Sequence, residues 1–237
     1  MWKYPYKTKP YEHQREALNE SAEKIQWAYF MEMGTGKTKV TIDNIGYLSF
    51  KGKINAVLVI APKSVYTIWE SEIETHMPKA IKYKIFKWNI DKPKDYEKLN
   101  KYEHLRIFLI NVEALSTKRG FEGCVDYLTK NKLNFVVLDE STTIKNRQAK
   151  RTKNILGLRQ LSHIRRILTG SPITKSPLDL FTQCQFLSPE LLGFSSYLAF
   201  RNRYAEMTDI PVGSGRFISC LLYTSDAADD MQCVDLG

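Results

Sequence analysis

The sequence predicts an α/β domain with a mostly parallel sheet covered by helices on both faces. Short apolar runs of strand length alternate with helix-length amphipathic stretches along the chain. Two of those runs, Ala56–Ala61 and Phe135–Leu138, are apolar at every position, as strands become when helices cover each side of a sheet. Residues 31–38, MEMGTGKT, set a glycine turn between the apolar run Trp27–Met31 and a helix start, the context a phosphate-binding loop requires.

The elements follow in order. After the break at Pro10, Tyr11–Ile25 has a helical apolar rhythm through Ala17, Leu18 and Ala22. Strands are expected at Trp27–Met31, Ala56–Ala61, Tyr83–Phe86, Arg106–Ile110, Phe135–Leu138 and Ile164–Leu168. Helices are expected at Lys37–Phe50, Ser64–His76, Cys124–Asn131, Gln148–Leu158 and Leu178–Leu187. Lys87–His104 is polar and rich in Lys and Asp, and reads as a surface excursion. No internal repeat is visible. One domain is expected over residues 1–210. The remaining tail, 211–237, is expected to be non-native or disordered, because Phe217–Gly237 has no Lys or Arg and carries four aspartates. Its CLLYTSDAADD string resembles translated sequencing-adaptor read-through, so a native chain would continue differently after about residue 216.

A chain of 237 residues buries roughly 70% of its unfolded surface, enough for one well-packed domain. Its 43% hydrophobic content is globular, which argues against disorder over most of the length. No apolar run approaches the roughly 18–20 residues of a membrane span, and no apolar stretch follows the basic N-terminus as in a signal peptide. The four cysteines are scattered without disulfide or metal-ligand spacing, so a reduced, cytoplasmic setting is expected. The net charge is +9, and its distribution is uneven. Between Ser141 and Leu178 stand nine Lys or Arg and no Asp or Glu: Lys145, Arg147, Lys150, Arg151, Lys153, Arg159, Arg165, Arg166 and Lys175. Such a run is either a nucleic-acid-facing patch or an ordinary solvated face.

In the loop, Met33, Gly34, Thr35, Gly36, Lys37 and Thr38 form the expected ATP cradle. Backbone N–H groups and the helix dipole favour phosphate there, Lys37 reaches the β- and γ-phosphates, and Thr38 offers a hydroxyl to Mg2+. Met31 replaces the first glycine of the usual pattern. The run FVVLDE at 135–140 ends in two adjacent carboxylates. These are either a solvated charge pair or the acidic half of a hydrolase site, with Asp139 on Mg2+ and Glu140 polarising the attacking water. Gln14, in KPYEHQREAL, has the donor and acceptor needed to read adenine, although a lone helical glutamine is more often a surface residue.

Together these segments resemble the first, RecA-like motor lobe of superfamily 2 DNA-dependent ATPases, most closely the Snf2-like branch with its phage-encoded members. The resemblance covers residues 8–206. KPYEHQREAL resembles the adenine-reading glutamine motif, FMEMGTGKT the family's EMGxGKT loop, and VLVIAPKSVYTIWESEI the segment after the second main strand. LINVEAL at 109–115 resembles the next motif, DESTTIKN stands where the family has DEGHxIKN, and LTGSPI at 168–173 stands for LTGTPI. The family's histidine, on the route linking the ATP site to Thr169 and Ser171, is here Thr142.

The resemblance implies a magnesium-dependent ATP hydrolase that translocates on or remodels double-stranded DNA without reading its sequence. The alternatives are a strand-separating helicase, or a nucleic-acid-binding module with little catalysis. It places Ala61–Ser64 near the DNA backbone, with Lys63, Trp69 and the basic stretch as contacts from one side. Trp69, Tyr66 and Tyr47 themselves read as core or interlobe packing more than as base stackers. It also implies a second RecA-like lobe, absent after Met207, whose arginines reach the γ-phosphate, so the lobe alone is expected to be weakly active. An oligomer is not implied.

Overall fold

The computed structural model describes residues 4–211 and 217–223. Its centre is a six-stranded parallel sheet in the order β1-β6-β5-β2-β4-β3. The strands are β1 (Gln26–Phe30), β2 (Ala56–Ala61), β3 (Tyr83–Lys87), β4 (Leu105–Asn111), β5 (Asn134–Asp139) and β6 (Ile164–Thr169). The helices are α1 (Glu12–Ser21), α2 (Lys37–Phe50), α3 (Lys63–Tyr66), α4 (Ile68–His76), α5 (Lys118–Lys130), α6 (Lys150–Leu158), α7 (Asp179–Leu187) and α8 (Tyr197–Tyr204). A separate antiparallel pair, β7 (Ala205–Pro211) and β8 (Phe217–Tyr223), follows them. Among the described residues no helix is long and apolar enough to cross a membrane.

Strand alternation sorts the core into two layers. Val57, Val59 and Ala61 point to one face, where Leu18 of α1, Ile42, Ile45 and Leu48 of α2, and Trp69 and Ile73 of α4 cover them. Ala56, Leu58 and Ile60 point to the other, against Tyr127 and Leu128 of α5, Ile155 and Leu158 of α6, and Phe186 of α7. Each large apolar side chain buried this way contributes about 1.5–3 kcal/mol. That double covering is why β2 and β5 are apolar throughout.

The expected architecture is therefore observed, with local differences. The first helix stops at Ser21, short of Ile25, where the carbonyls of Ser21 and Lys24 accept from a buried arginine described below. The helix expected at 64–76 appears as α3 and α4, although Thr67 between them keeps helical dihedrals of −73° and −29°. The helix α5 begins six residues earlier than expected, with the Thr117 hydroxyl accepting from the Gly120 N–H at 3.1 Å.

Lys87–His104 is more than a surface excursion. It places Trp88, Tyr96 and Leu99 in the second core layer, with the Tyr96 ring stacked 5.5 Å from that of Phe108. The eighth helix, unread in the sequence, is capped by the Ser196 hydroxyl and packs Phe200 and Tyr204 beside Phe181. The expected domain limit at residue 210 falls inside β7. Residues 212–216 and 224–237 of the expected tail lie outside the described residues.

Candidate nucleotide site

Strand register brings the chemistry to one edge of the sheet. Asp139 pairs with Leu168, Leu168 with Tyr29, and Phe30 with Thr169. The strands β5, β6 and β1 thus end side by side, and the segments leaving them share the carboxyl edge where parallel sheets bind ligands.

The loop after β1 turns on two glycines in the left-handed region, Gly34 (φ 78°) and Gly36 (φ 88°). Only glycine takes these angles without strain, and a Cβ on Gly36 would also lie 2.3 Å from Gln14 Nε2. The Thr35 hydroxyl donates to the Glu32 carbonyl at 2.7 Å. The Thr35 carbonyl in turn accepts from Gln14 Nε2 at 2.9 Å, with His13 Nε2 3.0 Å away. Lys37 Nζ donates to the carbonyls of Met31 and Glu32 at 2.9 and 3.0 Å. No side chain caps the start of α2, and its first turn carries no acidic residue. Free N–H groups at a helix N-terminus attract an anion.

Gln14 is buried, and its Oε1 accepts from the Tyr11 N–H at 3.0 Å. Its amide ties α1 to the loop, and one N–H and one lone pair remain for a ligand. Met33, by contrast, is 88% exposed.

Asp139 is buried at the end of β5. Its Oδ1 accepts from the Glu140 N–H at 2.9 Å and its Oδ2 from Trp69 Nε1–H at 2.8 Å. Burial pushes its pKa up. The bonds from Trp69 and Glu140 N–H oppose the shift, as does the positive charge of Lys37, while the Glu140 charge adds to it.

Glu140 sits in the left-handed region (φ 49°, ψ 63°). A residue with a side chain held there costs about 1–3 kcal/mol, and such strain clusters at functional sites. Its Oε1 accepts from the hydroxyls of Thr142 and Thr169, each at 2.9 Å. Thr169 Oγ1 also accepts from the Ser171 N–H at 3.2 Å. Thr142, Thr169 and Ser171 are thus joined through Glu140 itself.

Of the two readings of Trp69, packing holds and nucleic-acid contact does not: the side chain is fully buried and is a partner of Asp139. The signal was an indole N–H on a buried helix face, which needs an acceptor. The basic stretch is also thinner than its composition. Arg166 is fully buried, and Arg165 donates to the Leu187 and Ser162 carbonyls at 2.8 and 2.9 Å. Arg151 Nε donates to the Thr143 carbonyl, and Lys145 to the Thr174 hydroxyl. Arg147, Lys150, Lys153 and Lys175 are exposed, as is Lys63 on α3.

The SNF2-related domain family matches residues 28–222. The chromatin-remodeling ATPase INO80 of Cryptococcus neoformans is 31% identical over 197 residues, covering 78% of this chain and 10% of that protein. A probable ATP-dependent helicase of Plasmodium falciparum is 28% identical over 184 residues, covering 76% of this chain and 8% of its own. The chain spans about a tenth of the length of these curated relatives. The Sulfolobus solfataricus SWI2/SNF2 ATPase core in complex with double-stranded DNA has a similar fold, with a TM-score of 0.67 at 24% identity, over 86% of this chain and 40% of that one. The match to more than half of its length makes this chain a member of the SNF2-related domain family.

Proposed function

We propose that the chain is an ATP-binding motor lobe of a DNA-dependent, Snf2-like ATPase that hydrolyses ATP to ADP and phosphate. The observation that carries this reading is the placing of the Lys37 loop and the Asp139–Glu140 turn at one edge of the sheet, after β1 and β5 with only β6 between them. Lys37 and the first turn of α2 hold the phosphates, and Gln14, fixed against the loop, reads adenine with its remaining donor and acceptor. Thr38 and Asp139 are hard oxygen donors that would hold a magnesium ion arriving with the nucleotide. Its positive charge would offset that of the phosphate oxygens. Glu140 takes the proton of a water whose oxygen attacks the γ-phosphorus, the bond to the β–γ bridging oxygen breaks, and ADP departs. Thr142 and Thr169 aim the carboxylate.

Calorimetric titration with ATP tests the loop. Lys37→Ala should lose most of the measured affinity, because the ammonium is the main charge facing the γ-phosphate. Equal affinity in parent and variant would refute the assignment.

The reading also includes a second lobe that closes on the nucleotide and supplies an arginine to the γ-phosphate, so this chain alone should turn over slowly. In related phosphoryl transfers such an arginine contributes about 10³–10⁵ in rate.

The proposed polyanion is duplex DNA, gripped without regard to sequence, and the double-stranded DNA in the complex of the Sulfolobus ATPase core supports that choice. If Lys63 and three or four other exposed cations contact phosphates, log affinity should fall with log salt at a slope of about −3 to −5. Replacing Lys63, Lys150 and Lys153 together should weaken every duplex alike and flatten the slope by about 2–3. A slope unchanged in the triple variant would assign those residues to solvation. Comparing duplex, single strand and RNA in the same titration separates the translocase reading from a strand-separating helicase.

A further inference from the structure

The geometry points to Trp69 as a positioning residue for Asp139, setting how that carboxylate meets the divalent cation bound with the nucleotide. The inference rests on the proposed ATP site and deepens it.

Asp139 and Trp69 lie 70 residues apart, on β5 and α4, and meet through a single 2.8 Å hydrogen bond. The other carboxylate oxygen takes the neighbouring Glu140 N–H. The plane of the carboxylate is thus held by two donors from two separate elements. Each oxygen keeps a second lone pair for a cation or for water bound to it.

Asp139 retains little contact with bulk water. Without the indole N–H, one oxygen would lose its donor and the carboxylate would be free to turn about its last torsion. Filling the space beneath β5 requires only an apolar ring, and phenylalanine would do it. Packing alone does not explain why the one polar atom of the indole meets the one buried carboxylate of the site. Trp69 also arrives from the α3–α4 segment rather than from the loop or the β5 turn, so the seating of α4 sets the orientation of Asp139. Partners that orient a ligating carboxylate typically change metal affinity by about 10–100-fold when removed.

The test replaces Trp69 with β-(3-benzothienyl)alanine, which keeps the shape of the indole and puts sulfur where the N–H stood. Trp69→Phe serves as a second variant. ADP binding to the full chain is titrated calorimetrically in EDTA and at rising Mg2+ concentration. In EDTA both variants should match the parent, since the loop is untouched. The Mg2+ concentration giving the half-maximal gain in affinity should rise about 10–100-fold in both. The indole Nε1–H NMR resonance missing from Trp69→Phe should shift in the parent when Mg2+ joins ADP.

A parent-like Mg2+ curve for the benzothienyl chain overturns the proposal, whatever Phe does, because shape alone would then suffice. In that case ADP binding that still depends on Lys37 leaves the ATP-site reading intact. Absence of any Mg2+-dependent ADP binding in the parent would bring down that reading, and this proposal with it.

Discussion

Glu140→Gln is expected to leave nucleotide binding largely intact and to lower turnover by about 10²–10⁴, the range for a positioned general base. The amide keeps the size of the side chain and can still accept from the hydroxyls of Thr142 and Thr169 at one oxygen. It cannot take a proton from water. Phosphate release and ATP affinity should both be measured, with duplex DNA present. Turnover within a factor of a few of the parent would remove Glu140 from the proton path. A loss of affinity as large as that in Lys37→Ala would instead give it a binding role. Thr169→Ala should give a smaller loss in turnover in the same direction, since one of the two hydroxyls aiming the carboxylate would remain.

Arg166→Met should cost about 2–6 kcal/mol of stability, since the two buried carbonyls of Ser21 and Lys24 lose their donor at about 1–3 kcal/mol each. Its guanidinium is fully buried. Nε donates to Asn44 Oδ1 at 3.1 Å, Nη2 to the Ser21 and Lys24 carbonyls at 2.8 and 2.9 Å, and Nη1 to the Arg165 carbonyl at 2.8 Å. The same group lies 5.1 Å from the Phe135 ring centre. Burial lowers its pKa, and its hydrogen-bond acceptors are carbonyls, an amide and the Tyr29 phenol, not a carboxylate. Methionine fills much of the space but strands the carbonyls of the α1–β1 turn, each worth about 1–3 kcal/mol when left unpaired. Arg166→Lys should fall between, because an ammonium has three donors and no planar fork. Urea unfolding at constant slope would measure the loss. A change below about 1 kcal/mol would mean that water reaches the turn and takes over the bonds.

Arg166 also shows where sequence reading runs out. A run of basic residues looks the same whether its members face solvent or protein. Arg165 and Arg166 are neighbours on β6, where successive side chains point to opposite faces, so at least one had to enter a core layer. Knowing that β6 is an interior strand would have settled the matter, and that depends on sheet order rather than local pattern. The helix α2 and the strand β2 were legible to the residue, because glycine turns flank the one and a proline ends the unbroken apolar run of the other. Tyr96 and Leu99 were lost among lysines and aspartates, since a short 3-10 turn has too few residues to display a period, and Trp88 stands alone just past the end of β3. The loop, Asp139 and Glu140 stood out because their order along the chain mirrors their chemistry. Trp69 did not, because its partner is distant in sequence.

The ammonium of Lys37 rests on the carbonyls of Met31 and Glu32, where β1 runs into the loop. An ammonium has three donors, so these two bonds leave one for a phosphate oxygen. On the proposed reading, Lys37 fastens the loop to the end of β1 and the γ-phosphate to the loop at the same time. A fully charged oxygen, whose hydrogen bonds are roughly twice as strong as a neutral one's, gains most from that third donor. Neutral mimics of the triphosphate should therefore be held weakly here.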